Sequence, residues 1–158
     1  MQEDCPGWLY PVQCGAASVW ERWDALRTDG SVNNESVGSD NMVSFNHYAY
    51  GSVGLWMYEN IGGIRVEEAG YRTIRIEPKP GGGVTWAKCS HRSPFGRIGT
   101  SWQAVRENGA DILRLHVHIP CNARAEIWFE GRRIAEVGSG DYDFKEAFGQ
   151  KGDGYGKV

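Results

Sequence analysis

The densest run of reactive side chains is Trp20-Glu21-Arg22-Trp23-Asp24. Indole rings beside carboxylates suit a sugar site, because an aromatic face packs on a pyranose while charged groups take its hydroxyls. Hydrolysis of a glycosidic bond needs two carboxyl groups on opposite sides of the scissile bond, one a general acid and the other a base or nucleophile. On a helix, Glu21 and Asp24 stand one turn apart and point the same way. They make a poor complete pair, although one of them could be half of a pair. The competing reading is an amphipathic helix end carrying solvated charges.

A second cluster, Ser44-Phe45-Asn46-His47-Tyr48-Ala49-Tyr50-Gly51, sits where a loop would enter a helix and where backbone N–H groups and polar side chains converge. His47 either binds a substrate hydroxyl or is a satisfied, partly buried histidine behind an Asn46 cap. His116 and His118 form an H-x-H pair, but period two places them beside Arg114 and opposite the leucines. No Cys or carboxylate of matching spacing follows nearby, so the expectation is surface histidines and no metal. His91, near the Ser93-Pro94 turn, and the Arg132-Arg133 run have similarly structural readings. Cys5, Cys14, Cys89 and Cys121 are too widely spaced for zinc, and a chain of this length can form a core without disulfides. Four reduced, mostly buried thiols are expected.

The elements that must position these residues change character near residue 64. Thr73 to Glu77 alternates with period two, and Pro78-Lys79-Pro80 ends that strand. Strands are expected over Val84 to Ser93 and Arg97 to Val105, joined by the turn Ser93-Pro94-Phe95-Gly96. Ile112 to Ile119, Ala123 to Phe129, Arg133 to Val137 and Asp141 to Phe144 follow. Seven short strands about ten residues apart predict an antiparallel sandwich or jelly roll. The first half carries four of the seven Trp residues and two helix candidates, Ala16 to about Leu26 and Asn46 to about Gly62. The second of these is apolar nearly all round, which requires burial on every side. This chain offers little to cover it, so residues 1–64 read as the last piece of a larger helical domain.

Composition narrows the classes. The 158 residues include 22 Gly and six Pro, short of the roughly 25–30% that marks low complexity. A net charge of −3 argues against general nucleic-acid binding. No stretch approaches about 18 consecutive apolar residues, so no membrane-spanning helix is expected. Met1 to Trp8 lack a basic and then apolar leader pattern, which makes a cytoplasmic location the expectation.

Cys5-Pro6-Gly7-Trp8, followed by Gly15-Ala16-Ala17-Ser18-Val19-Trp20-Glu21-Arg22-Trp23-Asp24, resembles a segment of bacterial-type α-L-rhamnosidases, glycoside hydrolase family 78. That family carries a G-A-T-T-x-W-E-R-W stretch late in its catalytic domain. Ser44-Phe45-Asn46-His47-Tyr48-Ala49-Tyr50-Gly51 is similar to its S-x-N-H-x-A-x-G element. Pro78-Lys79-Pro80-Gly81-Gly82-Gly83, Ala87, Ser93-Pro94 and Gly96-Arg97-Ile98 resemble its C-terminal β domain. The resemblance implies an α+β fragment. Residues 1–64 would be the last helices of an (α/α)6 barrel, 65–145 an antiparallel, jelly-roll-like β-sandwich, and 146–158 a loose tail.

The resemblance also implies hydrolysis of terminal α-L-rhamnose with inversion, without a cofactor. Glu21 matches the general base that activates water, and His47 a histidine lining the rhamnose pocket, with Trp20, Trp23 and Asn46 as neighbours. In the family the general acid lies upstream, in a region this sequence does not contain. The chain is therefore expected to be inactive alone. Its implied partners are a rhamnose-containing glycoside once the barrel is completed, and an upstream barrel subunit or a second copy. No nucleic-acid or membrane partner is expected. The alternative is a non-catalytic sandwich that binds carbohydrate or stabilises a partner subunit. Ala17-Ser18 stands where the family has Thr-Thr, and Leu55 where Glu is common.

Overall fold

A computed structural model of the chain describes residues 7–33 and 43–148. The chain divides into two compact units, Met1–Gly54 and Leu55–Val158. The second unit holds eight strands: β1 Ile64–Val66, β2 Thr73–Ile76, β3 Trp86–Ser93, β4 Gly96–Glu107, β5 Ala110–Ile119, β6 Arg124–Phe129, β7 Arg132–Val137 and β8 Gly140–Phe148. They form two four-stranded sheets, ordered β1-β2-β6-β7 and β3-β4-β5-β8. Seven of the strands stand where alternation places them, and the short β1 is the addition.

Strand alternation builds the core. On β4, Ile98, Thr100 and Trp102 turn inward and are buried, while Arg97, Gly99, Ser101 and Gln103 turn outward. Leu113, Leu115, Val117 and Ile119 of β5 meet Ile64, Ile74, Ile76, Ala125, Ile127 and Phe129 from the facing sheet in one cluster. This is the expected sandwich. Its pairings are antiparallel except β2 with β6, which run parallel. The β3-β4-β5 meander lies between those two strands in sequence, and so long a connection permits a parallel return. Tight turns join β4 to β5 and β6 to β7. Asn108-Gly109 (φ 49° and 83°) and Glu130-Gly131 (φ 47° and 76°) have the paired positive φ that matches strand twist in two-residue hairpins. At the β3–β4 turn, the Ser93 hydroxyl donates to Gly96 O (3.0 Å) and accepts from the Phe95 N–H (3.1 Å).

The helix expected over Asn46 to Gly62 is shorter and irregular. A 3-10 turn over Tyr50–Ser52 leads into an α-turn over Val53–Trp56 and a π-turn over Met57–Ile61. The Gly62 N–H closes the last turn on Met57 O at 2.8 Å. Two side chains of β4 then satisfy carbonyls that a helix end leaves unpaired: Trp102 Nε1 donates to Ile61 O (2.7 Å) and Thr100 Oγ1 to Gly62 O (2.6 Å). Backbone bonds from Glu77 N to Gly63 O and from Lys79 N to Asn60 O, both 2.8 Å, complete the junction. It is tight: a Cβ on Gly62 would lie 2.6 Å from Cys89 Sγ, and one on Gly63 (φ +73°) would lie 2.3 Å from Pro78 N.

Burial on every side does not hold for this helix. Leu55 is 64% exposed and Trp56 53%, and Met57 and Tyr58 are also open to solvent, because nothing among the described residues covers them. The thiols also depart from expectation. Cys14 and Cys121 are exposed, since both fall just past the end of an element. Cys89 is half-buried on β3, and burial pushes its thiol pKa up. Cys5 lies outside the described residues, as does the expected tail from 149 onward, while β8 continues to Phe148.

Gly63→Ala is expected to lower the stability of the second unit by more than about 1 kcal/mol in a urea titration. Gly138→Ala, where a Cβ meets nothing within 4 Å, should leave it nearly unchanged. Leu55, Trp56, Met57 and Tyr58 together predict that the isolated chain binds a hydrophobic dye or self-associates. A dye-negative, monodisperse monomer in a sedimentation run would contradict that.

Candidate active site

The first unit has little regular structure beyond α1, Leu9–Gln13, and its share of the turns after Tyr50. Pro11 occupies the third position of α1, where a backbone N–H has no helical partner, so the missing donor costs nothing. The helix expected over Ala16 to Leu26 is absent. Arg22 instead grips Asp24 through two bonds, Nε to Oδ1 at 2.7 Å and Nη2 to Oδ2 at 2.9 Å. Residues two apart do not face each other on a helix, so this bidentate pair requires a turn. Asn33 Nδ2 adds a bond to Asp24 Oδ2 at 3.0 Å. The Arg22 guanidinium holds the Asp24 carboxyl below the usual carboxylate range. A small hairpin follows, bridged at Leu26 and Val32 and turning at Gly30 (φ 81°).

Glu21 has a different fate from Asp24, so the two do not point one way as a helical pair. Four hydrogen bonds bind its segment to residues 44–47. Glu21 N–H donates to Ser44 O (2.9 Å), Ser44 N–H to Glu21 Oε2 (2.7 Å), His47 N–H to Val19 O (2.7 Å) and Ser18 Oγ to Phe45 O (2.6 Å). Glu21 and His47, distant in sequence, are thereby carried by adjoining segments. The bond from Ser44 fixes one carboxylate oxygen and leaves Oε1 without a partner among the described residues. A carboxylate held by one oxygen and open at the other can take a proton from water.

His47 is half-buried, and its Nδ1 accepts from the Ala49 N–H at 3.2 Å. The neutral ring then carries its proton on Nε2, which can donate to a hydroxyl. Its ring stacks on Tyr48 with centroids 5.5 Å apart. Asn46 is exposed and caps no helix: its N–H donates to Ser44 Oγ (3.2 Å), and the helical turns begin only at Tyr50, with no side-chain cap at Ala49. The two tryptophans divide. Trp20 is buried edge-on against Phe45 at 5.2 Å. Trp23 stacks on Tyr50 at 5.1 Å, with Trp8 close to both rings. Trp23 Nε1 is buried without a partner among the described residues.

In the second unit, His116 and His118 turn outward beside Arg114 as alternation requires. The sequence reading missed their partners. His116 Nδ1 lies 3.0 Å from Asp143 Oδ1 and His118 Nδ1 2.7 Å from Asp141 Oδ1, because β8 pairs with β5 and carries the same two-residue spacing. That D-x-D spacing was the available signal. Among the described residues, no three His, Cys, Asp or Glu side chains gather to hold a metal.

Comparison with known proteins matches both parts of the chain. Residues 63–142 match the family described as bacterial alpha-L-rhamnosidase C-terminal domain, and residues 1–61 the bacterial alpha-L-rhamnosidase 6 hairpin glycosidase domain. The chain is 40% identical to an alpha-L-rhamnosidase of Streptomyces avermitilis, over 90% of its own length and 15% of that protein's. It is 39% identical to one from Formosa agariphila, over 79% of this chain and 12% of that protein. Among solved structures, the Streptomyces avermitilis enzyme complexed with L-rhamnose superposes with a TM-score of 0.76 at 38% identity, covering 92% of this chain and 15% of that one. The native enzyme from Aspergillus terreus gives 0.77 at 37%, covering 91% and 16%. The chain thus spans about one seventh of the relatives it matches, and it belongs to the bacterial α-L-rhamnosidase family, whose C-terminal region it resembles along nearly its whole length.

Proposed function

We propose that this chain supplies the general-base half of an inverting α-L-rhamnosidase site that removes terminal α-L-rhamnose from glycosides, and that it is inactive alone. The observation that carries this reading is Glu21, anchored through Oε2 by the Ser44 amide, with no partner on Oε1 among the described residues and His47 on the tethered segment beside it. In the reaction, Glu21 takes a proton from water as the water oxygen bonds to the anomeric carbon from the face opposite the leaving group. The glycosidic bond breaks, and the departing oxygen receives a proton from an acid that another part of the barrel must provide. An inverting site separates its two carboxyl groups by roughly 6.5–9.5 Å to admit that water. His47 donates from Nε2 to a sugar hydroxyl, with Asn46 alongside. Trp23 and its ring cluster form an apolar wall, and Trp20, packed on Phe45, anchors the segment that carries Glu21. The names of the relatives, one of them bound to L-rhamnose, support this substrate.

The purified chain should release no nitrophenol from p-nitrophenyl α-L-rhamnoside. Grafted in place of the matching region of the Streptomyces avermitilis enzyme, it should restore turnover, and Glu21→Gln in that graft should lower kcat by about 10²–10⁴-fold. Turnover by the pure chain would overturn the inactivity, and a graft indifferent to Glu21→Gln would overturn the base assignment.

A further inference from the structure

We propose that the outward face of the β3-β4-β5-β8 sheet is a second binding site, which takes a carboxylate-bearing polysaccharide laid along β4. Two hollows of about 630 and 470 Å³ share Ser101 and His116 and so form one continuous trough. Its floor is low because the central strand β4 presents only Gly99 and Ser101 there, while its neighbours present longer side chains. From Arg97 to Gln103 the strand covers about 20 Å at about 3.4 Å per residue, a length suited to a chain of sugars rather than one ring.

Charge selects the class of sugar. On the β5–β8 side the fixed cations already have an anion, because Arg114 and Lys145 share Glu107, while the imidazoles of His116 and His118 face Asp143 and Asp141. On the β3 side, Lys88, Arg92 and Arg97 have no carboxylate partner among the described residues. Arg92 and Arg97 stand directly opposite each other in the β3–β4 ladder. Like charges in that position repel, and a bound carboxylate would relieve the repulsion. The local excess of positive charge occurs on a chain whose net charge is −3, so general anion affinity does not account for it. At the far end Trp86, 67% exposed and opposite Gln103, offers an indole face to a pyranose. It is the one aromatic ring on this outward row, whereas single-stranded nucleic acid is held by successive stacking platforms.

The test titrates the 158-residue chain by calorimetry, at about 0.15 M salt where distant charges are screened. Its ligands are an oligogalacturonate, the methyl-esterified form of that oligomer, a neutral malto-oligosaccharide of equal length and an oligo-dT. The oligogalacturonate should bind at least ten-fold more tightly than the other three. The R92Q/R97Q double variant and Trp86→Ala should each weaken it ten-fold or more. Should the double variant fail to fold, Lys88→Gln and the esterified ligand still read the charge dependence from each side. Absence of oligogalacturonate binding, equal affinity for the esterified or neutral oligomer, indifference to Trp86→Ala, or tighter binding of oligo-dT would overturn the proposal.

Discussion

Thr100 and Trp102 carry polar atoms into the interior of a sandwich, where an unpaired donor is costly. Each reaches a carbonyl at the end of the preceding helical turns, Gly62 and Ile61 respectively. Much else follows from that requirement. The same two strand positions that build the core also fix where the chain enters β1. Glycine is then needed at 62 and 63, because Cys89 and Pro78 press against the backbone there. The end of the helical segment is thus part of the sandwich, held by buried hydrogen bonds as well as by apolar contact.

The first unit is organised on a different principle. Apart from the small Gly7 and Pro11, only Trp20 and Ala25 are buried among its described residues, so its order comes chiefly from polar tethers. Segment 18–21 and segment 44–47 exchange four hydrogen bonds, and Arg22, Asp24 and Asn33 form a second knot beside them. Such bonds are directional, each contributing about 0.5–1.5 kcal/mol net. They set the position of a carboxylate and an imidazole better than they resist unfolding. A site built this way gains precision from its tethers and depends on surrounding apolar cover for stability.

This contrast explains what could be read in the sequence. Strand alternation is a local signal, and seven strands of the sandwich follow from it, as does the outward placing of His116 and His118. The pairing of those histidines with Asp141 and Asp143 needed the β5–β8 register, which lies outside any local window. In the first unit, the apolar spacing of Val19, Trp20, Trp23 and Leu26 suggested a helix. Tertiary bonds to residues 44–47, together with the Arg22–Asp24 grip, override it. Glu21 and His47 stand out in the sequence only through the resemblance of their motifs to the family's. Their place on adjoining segments depends on backbone bonds that residue types do not announce.

β3 lies at the margin of its sheet, with one side of its backbone unpaired in the ladder. Such a margin can recruit a strand from another molecule and begin a fibril. Lys88 and Arg92 on its outward row give two approaching copies the same sign of charge along the line where they would join. Pro94, just beyond the end of β3, lacks the N–H needed to extend a foreign ladder. The cations of this strand therefore protect the chain from its own kind during folding, whether or not a ligand occupies the trough beside them.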